Sequence, residues 1–425
     1  MKRWKKLLLG LLLAVLLTQI PFAYRRYKLG RLRSAIQLLN SQRAQETHDS
    51  SLAEYKGVVH VHSFLGGHSN GTFKDIIAAA KSNQLDFVVM TEHTSDDFNT
   101  AAMTLKGRHA GILFINGNEA GATNSDRLLV LPGDESVDYA VAAALGTPAD
   151  VRTKLTTQEL ISKAKSKGSL TLVAYPQDFK SWDSGGYDGV EVYNVYTNAR
   201  QIKPLIMFFD GLWSFRSYPD LLFANFYRRP AENLKKWDDA MAATGRKLVA
   251  IAGNDAHANV GVSLIDSSGK TLLGLQLDPY ERSFRLVRLH VLSYDRSLLN
   301  GQLSFPSLDE ATLLNAISAG HCFIGFDLFG DTTGFRYTAH DQDEDRMMGD
   351  EIKLENEVRL TVALPVTSRI VLFKDGKPIH EENGIKQKDF VVKEKGSYRV
   401  EVYLPQLPKP VSDQPWIISN PIYVR

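Results

Sequence analysis

The sequence predicts an α/β protein in unequal parts: an N-terminal transmembrane helix, a body of alternating strands and helices around a parallel sheet, and a small C-terminal β-sandwich. Three observations carry this. Residues 7–24 form an uncharged run behind Lys2, Arg3, Lys5 and Lys6, strand-like and helix-like segments alternate from residue 56 to 252, and short strands follow one another without helices after about residue 340. The expected units are 1–24 (signal anchor), 25–54 (juxtamembrane tether), 55–338 (α/β body) and 339–425 (sandwich).

The first unit holds 18 uncharged residues, just long enough to cross a bilayer, and ends at Arg25, Arg26 and Lys28. Pro21 stands where a signal peptidase site after Ala23 needs a small residue, so an uncleaved anchor is expected, with the remainder exported to the periplasmic or extracytoplasmic side. Residues 25–54 are polar and basic and read as a helix or tether. In the body, residues 56–61 are β-branched and apolar, and Thr72-x-x-Asp75 opens a helix through Ile76, Ile77 and Ala80. Residues 86–90 and 111–115 are the next strands. Thr156-x-x-Glu159 caps a helix that stops at Gly168, and strands follow at 169–174, 187–192 and, after a helix at 234–243, at 247–252. In the last unit, alternating runs at 358–363, 369–373, 390–392 and 397–402 are separated by turn signals such as Asp375-Gly376.

Composition narrows the partners. A hydrophobic content of 44% against 23% charged residues is that of a folded protein with a sizeable core. A net charge of +2 argues against a broad nucleic-acid surface, so no nucleic acid is expected and a small-molecule substrate is, with the membrane engaged through the N-terminal helix. Cys322 is the only cysteine, which excludes intrachain disulfides and Cys-rich zinc sites and suggests a small buried apolar residue.

Residues of metal-ligand type gather where strands end. His60 and His62 close the first, with His68 in the loop beyond; Glu92 and His93 close the second; Glu119 follows the third; Asp255 and His257 follow the last. An isolated His-x-His is more often structural than metal-binding. Parallel α/β sheets, however, build their sites at the carboxyl edge, so these side chains, spread over roughly 200 residues, are expected to converge. Imidazoles and carboxylates suit zinc, manganese or iron, and paired ions of that kind activate water for hydrolysis. Asp255 is the candidate both to bind metal and to accept the proton of the attacking water; Glu92 is expected to orient a ligand rather than to bind metal. An aromatic-rich insertion, from Leu205 through Trp213 and Phe215 to Tyr227, reads as core packing, as a lid over an apolar pocket or as a patch on the bilayer. Arg200, Arg228, Arg229 and Lys180 could grip a phosphate, although solvated charge is the plainer reading of each; His48, His109, His290, His340 and His380 read as surface residues, and His321 as packing.

In order, His-x-His, a downstream His, Thr91-Glu92-His93, Glu119 and Asp255-x-His257 resemble the polymerase and histidinol phosphatase (PHP) superfamily of metal-dependent phosphoesterases over residues 60–280. The membrane-spanning start and the ending Trp416-Ile-Ile-Ser-Asn-Pro-Ile-Tyr-Val424 resemble its branch of carbaryl-hydrolase-like bacterial enzymes. The resemblance implies a distorted (β/α)7 barrel. One metal would take His60, His62, Glu119 and Asp255, and a second would take His68, His93 and His257, with Glu119 a candidate bridge. The family's third site needs histidines where this chain has Tyr175 and Asn194, so two divalent ions are expected. Asp255, Glu119 and His257 are the implied catalytic residues. The expected activity is hydrolysis of phosphate mono- or diesters; carboxylic or carbamic ester hydrolysis on the same centre, or a catalytically silent metal-stabilised binding module, are the alternatives.

Overall fold

A computed structural model describes residues 2–43, 52–95, 98–134, 139–141, 152–200, 203–265, 271–294, 297–299, 302–304, 308–341 and 345–425. The chain opens with one 41-residue helix, α1 (Lys2–Gln42), which runs through Pro21. No break separates anchor from tether. The first half is long and apolar enough to cross a membrane, and its side chains are exposed. The second half is amphipathic: Leu29, Leu32 and Leu39 recur on one stripe and are buried, and Arg43 just beyond pairs with Asp331 at 2.8 Å. The expected tether is therefore, up to residue 43, a packed helix; His48 lies outside the described residues.

Strands β1 (Ala53–Val61), β2 (Phe87–Met90) and β3 (Ile112–Ile115) are parallel neighbours. Val58, Val59 and Val61 and every residue of β2 are buried, the pattern of strands covered on both faces. Helix α2 (Phe73–Ser82) crosses from β1 to β2 and starts at the expected capping box, in which Thr72 and Asp75 satisfy each other's backbone N–H groups. A second sheet runs in the order β8 (Val249–Gly253), β7 (Gly189–Asn194), β6 (Leu170–Ala174), β5 (Arg127–Leu131), β4 (Asn118–Gly121) and the two-residue strand Glu92–His93. Helix α3 (Thr157–Ser166), again with its expected box, precedes β6; α4 (Pro204–Ser214) and α5 (Ala231–Thr244) lie between β7 and β8.

The strands are not all parallel. β5 is antiparallel to β4, because Ala122 N donates to Asp126 O at 2.9 Å and the resulting tight turn leaves no room for a crossover helix, and it is antiparallel to β6 on its other side. The two sheets meet where the end of β1 passes the end of β8: Asn254 N donates to Val59 O (2.9 Å) and His62 N to Ala256 O (3.0 Å).

β1 also pairs antiparallel with β9 (Arg288–Ser293), and β9 with β10 (Cys322–Gly325). The C-terminal strands β11 (Val358–Lys374), β12 (Lys377–Val392), β13 (Gly396–Tyr403) and β14 (Ile417–Ser419), for which a sandwich is expected, are hydrogen-bonded through β14 to β10 and so continue the β1 sheet. Asp375 and Gly376, both at positive φ (48° and 77°), form the expected β11–β12 turn. Cys322 is fully buried beside Asn420, as expected. The helix Glu310–Ala319 is capped by Asp309.

Candidate metal centre

The predicted ligands converge where β1, the Glu92–His93 strand and β8 end, with Glu119 at the second position of β4. Ligand atoms of His60, His62 and Glu119 lie within 4.8 Å of one another, as do those of His62, His93 and His257. His62 belongs to both groups. Asp255 Oδ1 stands 3.6 Å from the Nε2 atoms of His60 and His62 and 3.3 Å from His257 Nδ1. His68 packs edge-on against His93, ring centroids 5.2 Å apart, at the rim of the cluster.

Local backbone geometry aims these groups. His60 sits at a break in the β1–β2 register with φ of 66°, so alternation along a regular strand does not explain why it and His62 face one site. Tyr175 (φ 49°) and Asp255 (φ 48°) likewise leave their strands in the left-handed region, which non-glycine residues rarely adopt. Gly253 is required for space, since a methyl group there would lie 1.6 Å from Glu191 Oε1. That approach lets Glu191 accept a 2.6 Å hydrogen bond from His60 Nδ1, leaving Nε2 directed at Glu119, 3.2 Å away.

Burial lowers the proton affinity of His62 well below the usual histidine range, reinforced by His257, His93 and His60 around it; His93 is lowered for the same first reason. His60 moves the other way: burial opposes its charge, but Glu191, Asp255 and Glu119 outweigh it. Glu119, also opposed by burial, is drawn down to about 2 by His60, His93 and Arg127. Both ring nitrogens of His62 and Asp255 Oδ1 are buried with no hydrogen-bond partner among the described residues. Unmet donor sites of that kind in a nest of imidazoles and carboxylates fit divalent metal ions.

Three residues outside the expected ligand set shape the centre. Glu191 holds His60, while Tyr175 OH (2.8 Å) and Asn194 Nδ2 (3.2 Å) both donate to Asp255 Oδ2. The only sequence signal for Glu191 is a carboxylate inside an otherwise apolar strand. Glu92, expected to orient a ligand, hydrogen-bonds to no histidine among the described residues. Its carboxylate, with proton affinity raised by burial, accepts from Ser63 N (2.9 Å) and Thr104 Oγ1 (2.8 Å) and so fixes the loop leading to His68.

The cluster opens into a cleft of 720 Å³ whose walls include Arg127, Tyr175, Tyr196 and Arg200. Of the cations considered from the sequence, Arg200 is the one placed there. Arg229 is tied to Glu401 through two bonds of 2.6 and 2.7 Å, Arg228 to Tyr227 O and Lys180 to Asn124 O. Arg127, not singled out, stands 3.8 Å from Glu119 and faces the cleft. His290, read as a surface residue, is instead fully buried between Glu54 and Asp327, and His321 is half-buried and donates to Asp350 at 2.7 Å.

No protein-family profile matches the sequence, and no curated protein does. Solved structures that the chain resembles include PsfC from Pseudomonas syringae PB-5123, 12% identical, covering 62% of this chain and 89% of that protein at a TM-score of 0.35. Another, named a "putative metal-dependent phosphoesterase" from Bifidobacterium adolescentis ATCC 15703, is 14% identical and covers 54% of this chain and 94% of that protein at a TM-score of 0.29. At scores this low neither superposition carries an argument, and the reading of the site rests on its own residues.

Proposed function

We propose that this protein is a membrane-anchored, metal-dependent hydrolase of phosphate mono- or diesters. The observation that carries it is the convergence of His60, His62, His93, Glu119, Asp255 and His257, with both ring nitrogens of His62 and Asp255 Oδ1 buried and without a hydrogen bond among the described residues. The set suits two divalent ions such as zinc, manganese or iron, with His62 and Glu119 between the two groups. Bound there, such ions would acidify a water and neutralise charge on the ester oxygens.

The chain's own groups do the rest. Tyr175 and Asn194 occupy Asp255 Oδ2, which leaves Oδ1 to take a proton from the attacking water. As the bond from water oxygen to phosphorus forms, the bond to the leaving oxygen breaks, and the proton taken by Asp255 passes to that oxygen. Glu191 and the backbone carbonyl of Asp255 hold the rings of His60 and His257 in one orientation. Arg127 and Arg200 supply positive charge on the cleft wall for an anionic ester. A distorted (β/α)7 barrel is the finer fold reading, supported by the hydrogen bonds between the ends of β1 and β8 and by the direct run of the chain from β2 into the Glu92–His93 strand of the second sheet. An extracytoplasmic body is supported by the N-terminal, secretion-like placement of the apolar run behind Lys2, Arg3, Lys5 and Lys6.

Purified full-length protein, with its metal content measured, should be assayed on chromogenic phosphomonoesters, phosphodiesters and carboxylic esters. Phosphate-ester turnover that tracks metal content is the expected result. Turnover of carboxylic esters alone would replace the substrate class, and metal binding without any turnover would favour a silent binding module.

A further inference from the structure

A second cavity, 180 Å³ and mostly apolar, adjoins the metal cleft, and Tyr196 and Asp255 line both. Its walls are Met207, Phe215, Leu222, Phe223, Phe226 and Leu277. Nothing in the hydrolytic chemistry uses this space. It is smaller than the roughly 300–1,000 Å³ that encloses a whole drug-sized ligand, so it suits a segment of apolar chain rather than a complete molecule.

One wall belongs to α4, and α4 lies at the level where the bilayer should end. Phe209 packs on Phe22 with ring centroids 5.0 Å apart, Trp213 Nε1 donates to Gln19 Oε1 at 3.0 Å, and Asp210 accepts from Arg25 at 2.7 Å. These partners straddle Tyr24, the last residue of the uncharged run in α1. Away from the cavity, Leu205, Phe208 and Leu212 recur at helical spacing and are 69%, 61% and 70% exposed. An exposed apolar stripe with a tryptophan at its edge, held against the foot of a membrane-spanning helix, is suited to lie in the lipid interface. One face of α4 is thus placed to meet lipid, while the other lines a cavity that shares Tyr196 and Asp255 with the metal cleft.

We infer that the substrate is a bilayer-resident amphiphile: its phosphate ester enters the metal cleft beside Arg127 and Arg200, and part of its hydrocarbon chain fills the cavity behind α4. This rests on the phosphoesterase reading above and names the substrate class of the same site. The bonds made and broken at phosphorus are those already described, with water as the only co-reactant.

The test uses the full chain, metal-loaded and reconstituted in phosphatidylcholine vesicles, with two phosphodiesters that share the p-nitrophenyl leaving group: the methyl and the hexadecyl ester. The inference expects kcat/KM for the hexadecyl ester to exceed that for the methyl ester by about 100-fold. Partitioning of the long chain into vesicles could produce such a ratio without any cavity, so the cavity itself is varied. Gly211 lines it, and a Cβ there would meet nothing within 4 Å, so Gly211→Leu projects into open space. The hexadecyl-to-methyl ratio is expected to fall about tenfold in that variant, and likewise in Met207→Trp, which fills the same space from another position should the first not fold. An equal rate on both esters, or a ratio that neither variant changes, overturns the inference while leaving the phosphoesterase reading intact. Failure to hydrolyse either ester with metal bound overturns the inference, and if p-nitrophenyl phosphate is not hydrolysed either, the phosphoesterase reading falls with it.

Discussion

Asp255 combines a left-handed backbone, a carboxylate oxygen with no hydrogen-bond partner among the described residues and a second oxygen held by Tyr175 and Asn194. Asp255→Ala removes a charged candidate ligand and the proposed proton acceptor together. Turnover should fall below detection and metal content should drop; near-normal rates with full metal would disprove the assignment. Tyr175→Phe removes one hydrogen bond to the same carboxylate and keeps the ring, so a loss of about 10- to 100-fold in metal affinity or activity is expected, measured by metal titration alongside rates. Gly253→Ala places a methyl group against Glu191 Oε1 and should displace that carboxylate from His60, lowering metal affinity although no ligand changes; unaltered affinity would show that Glu191 does not position His60. The ligand-type residues were legible because strand ends in an α/β protein share one edge. Their supports were not. Glu191 and Tyr175 act on residues 131 and 80 positions away, contacts that depend on a register break at His60 and positive φ at Tyr175 and Asp255, none of which residue types announce.

At the scale of elements, β1, β9 and the loop after β10 are tied together by a buried charge cluster. His290 on β9 donates to Glu54 on β1 (2.9 Å) and to Asp327 (3.2 Å), while Arg336 pairs with Glu54 and Arg288 with Asp327. Burial opposes protonation of His290, but Asp327 and then Glu54 outweigh it and raise its proton affinity to about 9. The folded value lies above the ordinary value near 6.5, so this contribution is complete below about pH 6.5 and is lost as pH rises through 9. Its upper bound is about 3 kcal/mol. Chemical denaturation between pH 6 and 10 should therefore show an alkaline decline that His290→Gln flattens; parallel profiles for the two proteins would remove His290 as its source. Helix caps, the Asp375-Gly376 turn and most strands were legible because they follow local rules. The antiparallel β5, the burial of His290 and the continuity of β11–β14 with the β1 sheet were not, since pairing partners are chosen by the whole chain.

For the whole molecule, α1 divides by environment rather than by secondary structure. Its apolar first half is exposed apart from the contacts of Gln19 and Phe22 with α4, whereas its second half covers the core with Leu29, Leu32 and Leu39 and leads into the Arg43–Asp331 pair. A sequence-based division at residue 54 would cut this packing away. Burying a leucine side chain is worth about 1.5–3 kcal/mol, so three of them contribute several kcal/mol before the entropy of ordering the helix is subtracted, a large share of the about 5–15 kcal/mol that holds a folded domain together. A chain beginning at residue 25 keeps all three leucines and the Arg25–Asp210 pair, and should unfold cooperatively at nearly the temperature of the full-length protein in detergent. A chain beginning at residue 52 leaves that apolar groove open, and should melt several degrees lower or aggregate, read by thermal denaturation and sedimentation. Equal melting of the two shortened chains would show that the packed half of α1 is a passive spacer; the buried leucines and the ion pair with Asp331 argue that it is part of the core.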